Sequence, residues 1–388
     1  MPPSFIRTFH PVGQGAFYTE QHRDGDQILT IVYDCGSLTA PRERFLRKVA
    51  TALPSGTVID LLFISHFHAD HINGIDELKR KYTIRAVVLP KITEEARVLV
   101  KLENFLAYEG FSSVLIDNPR AYFGRRTRII LVEPIELDDS TAAVREIDAN
   151  NNRFIEVPAE KDQELRDSAA PTGRQTGRLR TIASGTPLQL MLHKTPFWEY
   201  IPYNYEFTAR RTAFMGMLKK LKIELGTLGN LEQIISRKKD LSKAYRSLDG
   251  DLNENSLVVY SGSLTDRIIL LHRGNYHTCW HPFYDRLEKE GCLYLGDVDL
   301  TIPSLPANLQ ARLGSRWHLI QTLQVPHHGS VHNFSSLTLD KGVQAVISYG
   351  SDNTYGHPSA HVIGQLHLVQ ATPILVTEQL ETAFYLHS

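Results

Sequence analysis

Apolar positions gather in short blocks along this chain, and their spacing changes from one block to the next. Phe5 to Tyr18 and Gln27 to Asp34 read as two strands joined by the polar turn Gln21 to Asp26. Gly13 and Gly15 interrupt the first, which marks a bulge or a close backbone approach, since a strand interior gains nothing else from glycine. Residues 39–52 take helical spacing, whereas Val58 to Ile64 is a continuous apolar run of the kind found in a strand buried on both faces. A helix over Ile72 to Lys81, a strand near Ile84 to Val88, a helix from Glu94 to Tyr108 and a strand over Ser113 to Ile116 follow. Strands alternating with helices predict an α/β protein.

From Glu136 to Ser184 the composition shifts to Asp, Asn, Arg, Thr and Gly, which predicts a partly flexible insertion. A strand over Pro187 to Leu192 and an aromatic stretch around Trp198 and Tyr200 precede two helices in 205–247, split at Gly226 to Gly229. Strands then return at Ser256 to Tyr260, Arg267 to Leu271, Cys292 to Leu295, Leu319 to Val325, Ala345 to Ser348 and Pro373 to Val376. The expectation is one domain over 1–388 carrying an insertion at 136–250.

Composition narrows this little. Apolar residues are 42% and charged residues 22% of 388, an ordinary globular balance. With 42 Lys plus Arg against 43 Asp plus Glu, attraction to nucleic acid has to come from local patches. Cys35, Cys279 and Cys292 are odd in number and far apart, which speaks against a disulfide framework and fits a reducing compartment. The N-terminus lacks the pattern of a secretory signal, and no apolar run approaches the ~18 residues a spanning helix needs. The expectation is a cytoplasmic protein with no membrane partner.

The chemistry concentrates at His66, His68, Asp70 and His71, four potential ligands within six residues, directly after the buried strand. Imidazole nitrogens suit zinc, manganese or iron, and a neighbouring carboxylate supports a second ion. The bland reading, a polar loop with surface histidines, does not account for four such residues in this order.

The run His-x-His-x-Asp-His, closed by Gly74, resembles the signature of the metallo-β-lactamase superfamily. That resemblance implies a four-layered αββα sandwich with two divalent ions between the inner edges of its sheets, zinc first and manganese as the alternative. It also implies His66 and His68 on the first ion, Asp70 and His71 on the second, and a bridging carboxylate after a later strand. Leu293 to Asp297 looks like that element, with Asp297 as the bridge. Further motifs resemble the soluble nuclease domain of ComEC-type DNA-uptake proteins: Gly13-Gln14-Gly15, a strand ending in Asp34-Cys35-Gly36, Pro326-His327-His328-Gly329-Ser330, and Asn353-Thr354-Tyr355-Gly356-His357-Pro358. Ala16 stands where that family usually has Asp, and the accompanying membrane channel has no counterpart here. Asn255 takes the place of a histidine that many superfamily members carry before the bridging Asp.

On this reading His357 is chosen as the last ligand of the second ion. His327 and His328 join Asp70 as catalytic groups, donating to the leaving oxygen or steadying the phosphate. The opposite assignment, one of the pair on metal and His357 on substrate, stays open on spacing alone. Ser330 and Asn353 are candidate substrate contacts. So are Arg210 and Arg211, within a basic stretch that includes Lys219, Lys220, Lys238 and Lys239, while Trp198, Tyr200, Tyr203 and Tyr205 are candidates to stack bases. The function expected is two-metal hydrolysis of a DNA or RNA phosphodiester. Two alternatives differ in class: a lactone or thioester hydrolase on the same ions, and an interaction component that binds a protein partner through 136–250.

Overall fold

The computed structural model describes residues 4–107, 112–136, 155–158, 179–206, 208–224, 231–246, 256–264, 271–274, 284–285, 290–335 and 340–387. In the N-terminal half the strands are β1 (Ser4–Phe9), β2 (Tyr18–Asp24), β3 (Gln27–Tyr33), β4 (Val58–Ile59), β5 (Leu61–Phe63), β6 (Thr83–Ile84), β7 (Ala86–Pro90), β8 (Arg128–Val132) and β9 (Pro134–Glu136). Then come β10 (Ile155–Pro158), β11 (Leu179–Ile182), β12 (Leu188–Leu192), β13 (Thr195–Glu206), β14 (Leu257–Ser263), β15 (Leu271–Gly274) and β16 (Tyr284–Asp285). The last five are β17 (Gly291–Tyr294), β18 (Ile320–Gln324), β19 (Gln344–Ser348), β20 (Thr372–Val376) and β21 (Phe384–His387).

Two large sheets face each other. One has ten strands in the order β11-β8-β7-β5-β3-β2-β1-β21-β15-β16, and the other runs β10-β12-β13-β14-β17-β18-β19-β20, with β9 beside β13. Alternation along the strands assigns each side chain to a layer. Leu29, Ile31 and Tyr33 of β3 and Leu61 and Phe63 of β5 meet Leu190, Tyr200, Val259 and Tyr294 of the other sheet in the central core. The alternate residues Val32, Leu62 and Val87 turn outward against Phe45, Val49, Ile75 and Leu78 of the helices Arg42–Thr51 and Ile75–Lys81. On the far side Tyr203, Val258 and Leu323 are covered by Leu305, Leu309, Val362 and Leu366 of the helices Ser304–Leu313 and Ala360–Leu368. Helix, sheet, sheet, helix is the αββα order, and coverage of both faces explains why the strands read as unbroken apolar runs.

Several expectations need correcting. Phe5 to Tyr18 is two strands with a loop between them, because 10–17 leaves the sheet to pack against the turn after β3. Val58 to Ile64 splits at Asp60, whose buried carboxylate accepts from the Thr30 amide at 2.8 Å and from Arg85 at 2.6 Å. Ser113 to Ile116 is not a strand: Val114–Asp117 is a helical turn, with Leu115 and Ile116 under the N-terminal helices. Most of 136–184 lies outside the described residues, as does the break at 226–229, but β11, β12 and β13 within the expected insertion are sheet strands. The helices Thr208–Lys220, Leu231–Ser236 and Lys238–Arg246 pack on the helix Glu94–Ala107 through Leu102, Phe214, Leu218, Ile234 and Leu241. Among the described residues no helix is long and apolar enough to cross a membrane.

Candidate metal centre

Strand polarity gathers the site. β3 and β5 are parallel, with Tyr33 beside Phe63, so their carboxyl ends deliver Asp34 and the loop from Ser65 to His68 to one place. In the facing sheet β17, β18 and β19 are parallel neighbours, and their carboxyl ends deliver Asp297, His327 with His328, and Ser348. A crevice beyond the carboxyl ends of parallel strands is where α/β sheets place ligands.

Two groups of ligand atoms form there, each within 4.8 Å: His66, His68 and Asp297 in one, Asp70, His71 and His328 in the other. The groups adjoin. The His66 and His71 rings lie 4.0 Å apart, and Asp297 reaches both, its Oδ2 3.5 Å from His66 Nε2 and its Oδ1 3.3 Å from His71 Nε2. His328 Nε2 lies 3.1 Å from Asp70 Oδ2, while its Nδ1 donates to the Ser348 carbonyl at 2.8 Å. His357 belongs to neither group; its ring sits 5.6 Å from that of His327, so the position chosen for it beside Asp70 and His71 is taken by His328.

Neighbouring polar groups orient these side chains. His71 Nδ1 donates to Asp34 Oδ2 at 2.8 Å, and Asp34 also accepts from the Ser65 amide at 2.7 Å and the Ser65 hydroxyl at 2.6 Å. His66 Nδ1 meets Ser65 Oγ at 2.9 Å and Ser256 Oγ at 3.3 Å, and Ser256 Oγ also accepts from the Asp297 amide. Gln324 Oε1 accepts from the Leu295 and Gly296 amides, both at 2.7 Å, and shapes the turn that aims Asp297. Both Nδ1 atoms being engaged, His66 and His71 are left to offer Nε2.

The backbone is strained where it serves the site. Asp34, His327 and His328 have φ of 55°, 46° and 55°, a region that side chains other than glycine rarely occupy, and three strained residues beside one cluster mark a functional site. Glycines permit close passage of chains: a Cβ on Gly15 would lie 2.4 Å from the Gly36 carbonyl oxygen, and one on Gly36 would lie 2.2 Å from the Asp70 carbonyl carbon. This is the close approach expected of Gly13-Gln14-Gly15, and it lets the Ala16 amide donate to the Asp70 carbonyl at 3.1 Å. Ala16 supplies only backbone and a buried methyl.

Charge balance in the cluster favours a cation. Burial pushes His71 down, yet Asp297, Asp70 and Asp34 outweigh it and hold its imidazole well above the usual histidine range. Burial pushes the Asp297 and Asp70 carboxyls up, yet the imidazoles around them hold both below the usual carboxylate range. His66 goes the other way, well below the usual range, through burial and the neighbouring His71. His66 Nε2 and His71 Nε2 are buried and make no hydrogen bond. Buried nitrogens left so, beside carboxylates, are a donor set that divalent cations complete.

Residues 29–140 match the metallo-beta-lactamase superfamily. The match spans β3 to β9 and includes the whole His66 to His71 run, and the two sheets with their outer helices give the sandwich of that fold. Among solved structures, the crystal structure of human tRNase Z, short form (ELAC1), is similar at 11% identity and a TM-score of 0.34, covering 96% of this chain and 92% of that one. No curated protein matches the chain.

Substrate-side expectations fare differently. Trp198, Tyr200, Tyr203 and Tyr205 are buried in β13 as core residues, so they do not form a stacking surface; an aromatic strand covered on both faces has the same sequence look as an exposed one. Ser330 is buried and its hydroxyl accepts from the His332 amide. Asn353 ties its own loop, donating to the Gly350 and His357 carbonyls at 2.6 and 2.7 Å and accepting from the Tyr355 and His357 amides at 3.1 Å. Both are spent on loop structure. Arg210 and Arg211 fall on the helix Thr208–Lys220 with side chains outside the described residues, where Asn255 also lies. Sequence reasoning assigned no role to Asp34, Ser65, Ser256 or Gln324; only the Asp-x-Gly ending of β3 signalled the first.

Proposed function

We propose that this chain is a metal-dependent phosphodiesterase acting on nucleic acid. The observation that carries the reading is the pair of adjoining ligand groups, His66, His68 with Asp297 and Asp70, His71 with His328, supplied by both sheets, with His68 half-buried and the others buried. Asp297, which belongs to one group and reaches His71 of the other, would be the carboxylate shared between two ions held there. Two divalent cations held there supply Lewis-acid charge that makes water nucleophilic near neutral pH and offsets charge on a phosphate.

The chain's own residues do the rest. Asp34 and Ser65 fix the ring of His71, and Ser256 and Gln324 fix the carboxylate of Asp297, so that the donors are already in place when substrate arrives. His327 donates its Nδ1–H to Asn333 Oδ1 at 2.7 Å, which orients the ring; in its imidazolium form the proton on Nε2 is the one to give to the leaving oxygen. Asn104 Nδ2 donates to the Phe67 carbonyl at 2.6 Å, between His66 and His68, and so ties the ligand loop to the helix on which the basic helices pack. Lys219, Lys220, Lys238, Lys239 and Lys243 are exposed on those helices, an arrangement that attracts a phosphate backbone. The motif order resembling the ComEC-type nuclease domain favours the same substrate class over a lactone or thioester.

Labelled single- and double-stranded DNA and RNA incubated with the chain and Mn²⁺ or Zn²⁺ test this. Cleavage that vanishes in Asp297→Ala is expected; ester hydrolysis without nucleic-acid cleavage would overturn the substrate assignment.

A further inference from the structure

The segment Asn353 to Pro358 stands out in the sequence, yet its histidine joins neither ligand group. Its geometry suggests another use. From the ligand cluster a row of rings leads outward: His66 to His71 at 4.0 Å, His71 to His328 at 5.9 Å, His328 to His327 at 6.1 Å, His327 to His357 at 5.6 Å, and His357 to Tyr355 at 5.9 Å with the last two rings stacked at 29°. Tyr355 ends the row in solvent at 63% exposure, and among the described residues it is the one aromatic in the set of exposed large apolar side chains.

An exposed ring on a floppy loop would mean little. Here the four hydrogen bonds of Asn353 hold both ends of the loop, and the Ser359 amide donates to the Gly329 carbonyl at 3.0 Å, which fastens the loop to the turn that carries His327 and His328. Holding a large apolar ring out in water has no folding benefit, whereas a fixed ring whose face can cover a nucleobase lowers the entropy cost of binding one. The nearby side chain Asp352 is acidic and exposed, so this loop offers phosphate no cation and any affinity it adds comes from the base.

We propose that Tyr355, braced by His357, is a stacking shelf for an unpaired base next to the scissile phosphate, so that the site takes single-stranded nucleic acid or a frayed end. The proposal rests on the phosphodiesterase reading. A base paired and stacked within a duplex has no free face for the ring; an unpaired one does.

Two fluorescein-labelled strands of equal length separate stacking from charge: one of mixed sequence, one abasic throughout. Anisotropy in EDTA, so that neither is cut, compares the intact chain with Tyr355→Ala and Tyr355→Phe. The intact chain is expected to hold the base-bearing strand tighter than the abasic one. Tyr355→Ala is expected to weaken only the former, by about 5- to 100-fold, the range for loss of one stacked base. Tyr355→Phe, which keeps the ring face, is expected to stay within about threefold of the intact chain. Equal binding of the base-bearing strand by the intact chain and Tyr355→Ala, or equal weakening of both strands, overturns the shelf. The hydrolytic reading fails separately: base-dependent binding without Mn²⁺-supported cleavage leaves the shelf and removes the hydrolase.

Discussion

Among the described residues, the cluster around Arg7 and Glu20 and the ligand cluster are both buried and polar, and they are built to opposite rules. In the central core Arg7 pairs with Glu20 at 2.6 Å and donates to the Glu290 carbonyl at 3.0 Å, while Glu20 also accepts from Ser261 and Tyr294, both at 2.8 Å, and from Tyr200. That network closes on itself. At the carboxyl ends of the strands the ligand cluster stays open, with His66 and His71 each leaving Nε2 without a hydrogen bond. A closed network holds charge for the sake of the fold; an open one of the same burial awaits an ion.

The contrast predicts separable failures. Asp297→Ala has the largest expected effect, a loss of about 10³-fold or more in metal-supported turnover, since it removes the carboxylate of one ligand group that also reaches His71 of the other, and the positioning it gives. Arg7→Leu comes next: it strands Glu20 in the core and is expected to cost about 3–5 kcal/mol in denaturant unfolding, with metal binding retained in the folded fraction. A matching result for the two variants, each losing both stability and metal, would erase the distinction. Chelation should separate them too: saturation at about 100 times Kd adds about 2.7 kcal/mol per ion, so EDTA should lower the melting temperature of the intact chain and leave that of Asp297→Ala almost unmoved.

Smaller effects sharpen the picture. Asp34→Asn keeps the shape but weakens the hold on His71, and about 10- to 100-fold lower metal affinity or turnover is expected, read by titration with Mn²⁺. Acid stability reports the closed cluster. Burial pushes Glu20 up, but Arg7 and His22 outweigh it and hold its carboxyl below the usual 4.5. Its stabilising effect is therefore complete above pH 4.5 and drains as the pH falls below that value. Glu20→Gln should flatten that limb of an unfolding-versus-pH curve; an unchanged limb would mean other carboxylates govern acid unfolding.

Legibility in the sequence follows the same division. The run from His66 to His71 stands out in the sequence because its candidate ligands are local, and Asp297 because a strand and a glycine announce it; the structure brings them together. Spacing alone leaves His328 and His357 open as alternatives because both follow strand ends, and the parallel order of β18 and β19 brings His328 to Asp70. The core cluster was invisible: Arg7 and Glu20 look like surface residues of alternating strands, and their burial depends on β14 and β17 from the other half of the chain. Asp60 broke an apolar run because its partner Arg85 arrives from a separate strand connection. The aromatic stretch of β13 misled because covering by both layers cannot be read from one strand.

On the proposed reading His66, His68, Asp70, His71, Asp297 and His328 together cage two cations. Counting ions bound to metal-stripped protein by calorimetric titration with Mn²⁺ or Zn²⁺, followed by elemental analysis after desalting, tests it most directly. Two ions per chain, reduced by Asp297→Ala, is the predicted result. A folded chain that takes up no ion, or one whose uptake is indifferent to Asp297, would contradict it.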